Sequence, residues 1–286
     1  MILLFSALLV FEGWLSCRNY FMDRGDWAGV GIALLAVILV GLGGWELCQF
    51  ARAKTIEPPT PIMIVFIILI ITEPFWSDSI LASKNVLPGQ AVLALVLLLG
   101  LFLAAVYKGI RTGTQNTMIQ LGLACFSIIY LGLGGWFIVQ IRLLGRQGDT
   151  VWSQIAPIVV FLTCVKFCDI GAYFTGRFLG RHLWVPSISP KKTWEGFFGG
   201  IVLAVIAASL FAPFSAIMGI GRAVVFGAVA AVTGQWGDLL ESMLKRDAGS
   251  KDSASLIPEF GGMLDLLDSV LVAAPFAYLF FMFSIT

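Results

Sequence analysis

A single histidine, His182, stands in the 286-residue chain, which argues against a Ser–His or Cys–His nucleophilic mechanism. Charge is scarce: 12% of the residues are Asp, Glu, Lys or Arg, against about 25% in a typical soluble domain. The net charge is +1, and with no basic patch or stripe the composition argues against nucleic acid as a partner. The five cysteines, Cys17, Cys48, Cys125, Cys164 and Cys168, form no CxxC pair, so they outline neither a disulfide framework nor a zinc site. Four of them lie in or at the ends of apolar stretches, where a thiol behaves as a small buried hydrophobe. Walker A, GxGxxG, HExxH and nucleophile-elbow patterns are all missing, so any nucleotide binding uses none of the familiar soluble folds.

What the chain has in quantity is apolar surface. Hydrophobic residues make up 59%, with 23 Phe and 9 Trp. One soluble core of this size cannot hide that much, so most of it must face lipid or other membrane helices. Nine apolar segments run over about 1–17, 27–50, 61–77, 89–108, 117–141, 151–176, 196–214, 221–244 and 262–284. A crossing helix needs roughly 20 apolar residues, which predicts an all-α polytopic integral membrane protein with about nine transmembrane helices. The first run lacks a basic leader and contains Glu12, so it reads as a retained helix rather than a cleaved signal peptide. Even-numbered connections carry eleven of the 18 basic residues and odd-numbered ones six. The positive-inside rule then puts the even connections and the N-terminus in the cytoplasm.

Acidic residues gather late: seven of 17 lie after position 237. This divides the chain into transmembrane scaffold helices over 1–150 and a C-terminal transmembrane half over 151–286 that looks like the working part. The sequence also echoes itself, with Gly-Leu-Gly-Gly-Trp at 41–45 and again at 132–136. Inverted repeats mark secondary transporters, and small residues where helices pack closely are the plainer explanation.

Four groups of residues carry chemistry. On a helix, Asp238, Glu241 and Lys245 share a face, as do Asp238 and Ser242; Arg246, Lys251, Asp252 and Ser253 follow across Gly249. Asp265 and Asp268, three apart, point one way. Paired carboxylates from two helices suit a hard divalent cation such as Mg2+, which uses one or two carboxylates plus substrate phosphates. The competing explanation is interfacial ion pairing with Lys245, Arg246 and Lys251. A charge at the bilayer centre costs about 2.5–3.5 kcal/mol on insertion scales, and repeating that four times calls for a function. Upstream, Ser189-Pro-Lys191-Lys192-Thr193-Trp194-Glu195-Gly196 opens the seventh segment. Its lysines and hydroxyls could bind phosphates beside a helix N-terminus; ordinary cytoplasmic lysines, a helix-start Glu195 and an interfacial Trp194 are the alternative. Finally, Asp169 and Tyr173 share a helical face, with Lys166 three residues before Asp169, an arrangement equally open to an ion pair or a direct role.

In this order and spacing the groups resemble the CDP-diacylglycerol synthase family, the phosphatidate cytidylyltransferases. The pattern S-x-x-x-K-R-x-x-G-x-K-D-S reads here as Ser242, Lys245, Arg246, Gly249, Lys251, Asp252 and Ser253. The pattern P-x-x-G-G-x-x-D-x-x-D-S reads as Pro258, Gly261, Gly262, Asp265, Asp268 and Ser269. The resemblance covers about 166–275, with two departures: Glu259-Phe260 replaces a usual Gly-His, and Leu266 replaces an arginine. It implies cytidylyl transfer from CTP to phosphatidate at the cell's inner membrane. The site would be open to the cytoplasm and hold Mg2+ with a second ion such as K+, in a homodimer. Asp238, Asp265, Asp268 and Glu241 would hold metal, and Lys191, Lys192, Lys245, Arg246 and Lys251 would contact phosphates. Asp252 would orient a lysine or the metal, and Ser189, Thr193, Asp169, Tyr173, Ser242 and Ser253 would contact substrate. Another lipid phosphate as acceptor, and an ion-coupled transporter, stay open as rival functions.

Overall fold

A computed structural model describes residues 29–80, 89–145, 150–215, 218–249 and 262–285. Within them are eight helical spans long and apolar enough to cross a membrane. They are α1 (Val30–Ala53), α2 (Thr60–Ile80), α3 (Gly89–Thr112), the run α4 (Thr117–Ser127) to α5 (Gly134–Leu144), α6 (Val151–Leu179), α7 (Trp194–Ser215), α8 (Ile220–Asp247) and α9 (Leu264–Ile285). They match the second to ninth expected segments; the first, 1–17, lies outside the described residues. A π-helical stretch, Ile128–Leu133, joins α4 to α5 and takes in the first two residues of the second Gly-Leu-Gly-Gly-Trp.

Two expectations shift in detail. Helix α2 continues through Pro74 to Ile80. Thr72 Oγ1 donates to the Ile68 carbonyl at 2.8 Å and Trp76 Nε1 to that of Leu69 at 3.4 Å, so side chains supply donors around the proline, as membrane helices allow. The connection before α7 is a short antiparallel hairpin of β1 (Leu183–Val185) and β2 (Ser189–Thr193), with Leu183 opposite Thr193 and Val185 opposite Ser189.

The chain forms two compact units. The first comprises Met1–Ile32, Gln140–Met243 and Asp268–Thr286; the second comprises Ala33–Val139 and Leu244–Leu267. In the first, α6 and α7 pack through small residues. A Cβ on Gly171 would lie 2.8 Å from the Gly199 carbonyl oxygen, so backbone meets backbone there. Cys168, Ala204 and Ala231 form a buried cluster beside this seam. Arg142, fully buried, donates to the Gln154 carbonyl at 3.1 Å. In the second unit Phe66, Ile70 and Ile128 form the core, with Leu97, Leu101 and Trp136 against it. Buried Glu73 accepts the Trp136 indole N–H at 2.8 Å. Elsewhere large apolar side chains stay exposed, Ile110 at 80% and Phe178 at 73%, as lipid-facing positions should be.

Helix α6 starts at a reciprocal cap: Thr150 Oγ1 accepts the Ser153 N–H at 3.1 Å and Ser153 Oγ accepts the Thr150 N–H at 2.9 Å. Thr150→Ala should therefore cost about 0.5–2 kcal/mol, seen as a lower midpoint of thermal unfolding in detergent, while Thr150→Ser should keep the wild-type value.

Candidate active site

Four acids of the first unit lie within helices long and apolar enough to cross a membrane: Asp169 on α6, Asp238 and Glu241 on α8, and Asp268 on α9. Asp268 interacts electrostatically with Asp238, Glu241 and Asp169, and Asp169 with Asp238 and Lys192. Glu241 is 1% exposed and Asp268 3%, and carboxylate oxygens of the two lie within 4.8 Å. Like charges this close in a low-dielectric setting repel unless a cation or a proton stands between them. An all-oxygen donor set of this kind fits a hard divalent ion.

Two lysines answer the other two acids. Lys192 Nζ is 2.7 Å from Asp238 Oδ2, and Lys166 Nζ is 3.1 Å from Asp169 Oδ2. Lys192 reaches Asp238 because it sits on β2, where successive side chains alternate. Lys192 is half-buried and its neighbour Lys191 exposed, so the two lysines leave the strand on opposite faces. Close approach of α8 and α9 rests on Gly237: a Cβ there would lie 2.3 Å from the Asp268 carbonyl oxygen. Only glycine lets the turn carrying Asp238 meet the turn carrying Asp268.

In the second unit Lys245 Nζ, at the end of α8, is 2.9 Å from Asp265 Oδ1 on α9. Lys54 forms an exposed ion pair with Asp247. Arg246 is exposed and Ser242 half-buried. Lys251, Asp252 and Ser253 lie outside the described residues, as do Glu259 and Phe260.

Other residues singled out in the sequence are engaged locally. Thr193 Oγ1 accepts the Gly196 N–H at 3.1 Å, which caps α7. Tyr173 is exposed, and its hydroxyl accepts from Arg177 Nη1 at 2.7 Å. Ser189 begins β2, half-buried. Glu195, in the first turn of α7, pairs with exposed His182 at 2.6 Å. Buried polar residues that went unmarked in the sequence include Gln235 and Glu46. Gln235, one turn before Asp238, donates to the Phe197 carbonyl at 3.2 Å. Glu46 accepts two backbone amides at the start of α9, at 2.9 Å each. An acid inside the second apolar segment was the available signal for Glu46, by the same cost argument applied to Asp238.

Comparison with known proteins is consistent with this geometry. Residues 25–284 match the family model described as the cytidylyltransferase family. A Haemophilus influenzae protein named phosphatidate cytidylyltransferase is 36% identical over 265 residues, covering 88% of this chain and 89% of its own length. Proteins of the same name from Bacillus subtilis and Brucella suis are 39% identical over 170 residues and 43% over 134. The matched stretches span 58% and 49% of those relatives.

Gly237→Ala should force the Asp268–Ser269 turn away and cost about 1–3 kcal/mol through overpacking, measured by thermal unfolding in detergent. Gly41→Ala, where a Cβ meets nothing within 4 Å, is the matched control and should hold or raise the midpoint.

Proposed function

The chain belongs to the cytidylyltransferase family, and we propose that it transfers a cytidylyl group from CTP to phosphatidate, giving CDP-diacylglycerol and pyrophosphate. The observation that carries this reading is the group of carboxylates Asp169, Asp238, Glu241 and Asp268 within apolar helices, with Lys192 set on Asp238. Its support is the phosphatidate cytidylyltransferase name of a relative aligned along 88% of the chain.

A phosphate oxygen of phosphatidate attacks the α-phosphorus of CTP, the bond from that phosphorus to the bridging oxygen breaks, and pyrophosphate leaves. The attacking phosphate is already ionised at neutral pH, so the site requires no strong general base. The difficulty is bringing two polyanions together and stabilising charge on the transferred and leaving groups, which positioned cations do by electrostatics. Lys191, Lys192, Lys245, Arg246 and Lys251 would contact phosphates, with Asp252 orienting a lysine. Ser189, Thr193, Asp169, Tyr173, Ser242 and Ser253 would contact substrate, the first four through a surface already ordered by the α7 cap and the Lys166 pair.

Bound Mg2+ would supply Lewis-acid stabilisation of phosphate charge. Asp238, Glu241 and Asp268 would hold it, and Asp265 joins them on its place three residues before Asp268 in the motif. A second ion such as K+, a homodimer, and an inner-membrane site open to the cytoplasm complete the reading. Glu259-Phe260 and Leu266 remove two residues expected at the phosphates, which favours testing other lipid phosphates as acceptors.

The test is pyrophosphate release from CTP by purified protein in detergent, with Mg2+ or with chelator, and with phosphatidate or a polyprenyl phosphate. Release is expected to need both Mg2+ and phosphatidate and to fall by about 100-fold or more in Asp268→Asn, the scale of losing one electrostatic stabiliser. Release with polyprenyl phosphate alone would move the reaction to that acceptor. No release with any lipid phosphate would overturn the reading.

A further inference from the structure

We infer that Glu46, in the scaffold helix α1, is a positioning residue that sets the start of α9 and thereby the placement of Asp265. Glu46 is the one acid in α1 and is 1% exposed. Its Oε1 accepts the Met263 N–H and its Oε2 the Leu264 N–H, both at 2.9 Å. The first amides of a helix have no partner inside it, and a residue just ahead of the helix ordinarily supplies the acceptor. Gly261, Gly262 and Met263 precede α9, and none carries an oxygen on its side chain. The acceptor comes instead from 217 residues upstream. A carboxylate also matches the positive end of the helix dipole.

The fit is built from both sides. Gly43, nearly one turn before Glu46, faces the same place: a Cβ there would lie 3.2 Å from Leu264 Cδ1. The amides held by Glu46 immediately precede Asp265, whose carboxylate meets Lys245 at 2.9 Å. A shift of the first turn therefore moves that ion pair. Lys54, just beyond the end of α1, pairs with Asp247 at the end of α8. That contact is exposed and contributes little, whereas two charge-assisted bonds to a buried carboxylate are strong.

The test uses the full chain in detergent and compares Glu46→Gln, Lys54→Ala and wild type. Gln offers one acceptor oxygen and turns an N–H toward the other amide. In Glu46→Gln, hydrogen exchange over residues 263–268 should accelerate at least tenfold. Mn2+ affinity, read by electron paramagnetic resonance without nucleotide or lipid, should weaken by about 10–100-fold, as for residues that orient metal ligands. Pyrophosphate release should fall by a similar factor, and Lys54→Ala should change nothing by more than twofold. Wild-type exchange and Mn2+ affinity in Glu46→Gln would overturn the inference. If Glu46→Gln aggregates, Glu46→Asp, which keeps the charge and shortens its reach, takes over; wild-type exchange over 263–268 there also overturns it. The activity and Mn2+ arms rest on the proposed reaction and its metal site, and the exchange arm does not. Faster exchange in Glu46→Gln alongside a wild type that releases no pyrophosphate would sink the reaction and support the positioning role.

Discussion

A carboxylate carried into the membrane has to be answered by a donor or a cation, and that requirement organises the polar part of this protein. Insertion costs of about 2.5–3.5 kcal/mol per charge rule out idle acids in a chain this apolar. The acids within the helices meet partners of three kinds. Glu73 takes an indole N–H, Glu46 takes two backbone amides, Asp169 takes Lys166, and Asp238 takes Lys192. Glu241 and Asp268 instead approach each other, and this is the place where a metal ion fits the donor set.

Partners can reach these acids because backbone comes very close to backbone at chosen glycines. Gly171 admits α7 to α6, and Gly237 admits the Asp268 turn to α8. The same account covers the repeated Gly-Leu-Gly-Gly-Trp. In the first copy Gly43 faces Leu264; in the second Gly132 faces Ile70, and Gly135 would bring a Cβ to 2.8 Å from Ile71. Both copies are packing surfaces, which removes the main support for reading them as halves of a transporter.

Much of this was legible in the sequence, for identifiable reasons. Helix placement follows from length and hydrophobicity, since lipid leaves the backbone few alternatives, so eight apolar segments became helices with ends shifted by a few residues. Asp238, Glu241, Asp265 and Asp268 stood out because charge in an apolar run is conspicuous. Less legible were features that depend on distant chain. The hairpin at Leu183–Thr193 is three and five residues long, too short for a periodic signal. Opposite exposure of Lys191 and Lys192 follows from that strand and could not be anticipated while the segment was read as a plain connection. Glu46 was visible as an acid, yet its partners are backbone amides, which no side-chain pattern announces.

Glu46 leaves the ribosome 217 residues ahead of the first amide it will accept. Until α2 to α8 have been synthesised, those donors do not exist. Arrival of α9, the last described helix, relieves that deficit. The first described helix is therefore finished by the last: a polypeptide that stops short of α9 lacks both donors that Glu46 accepts in the folded protein.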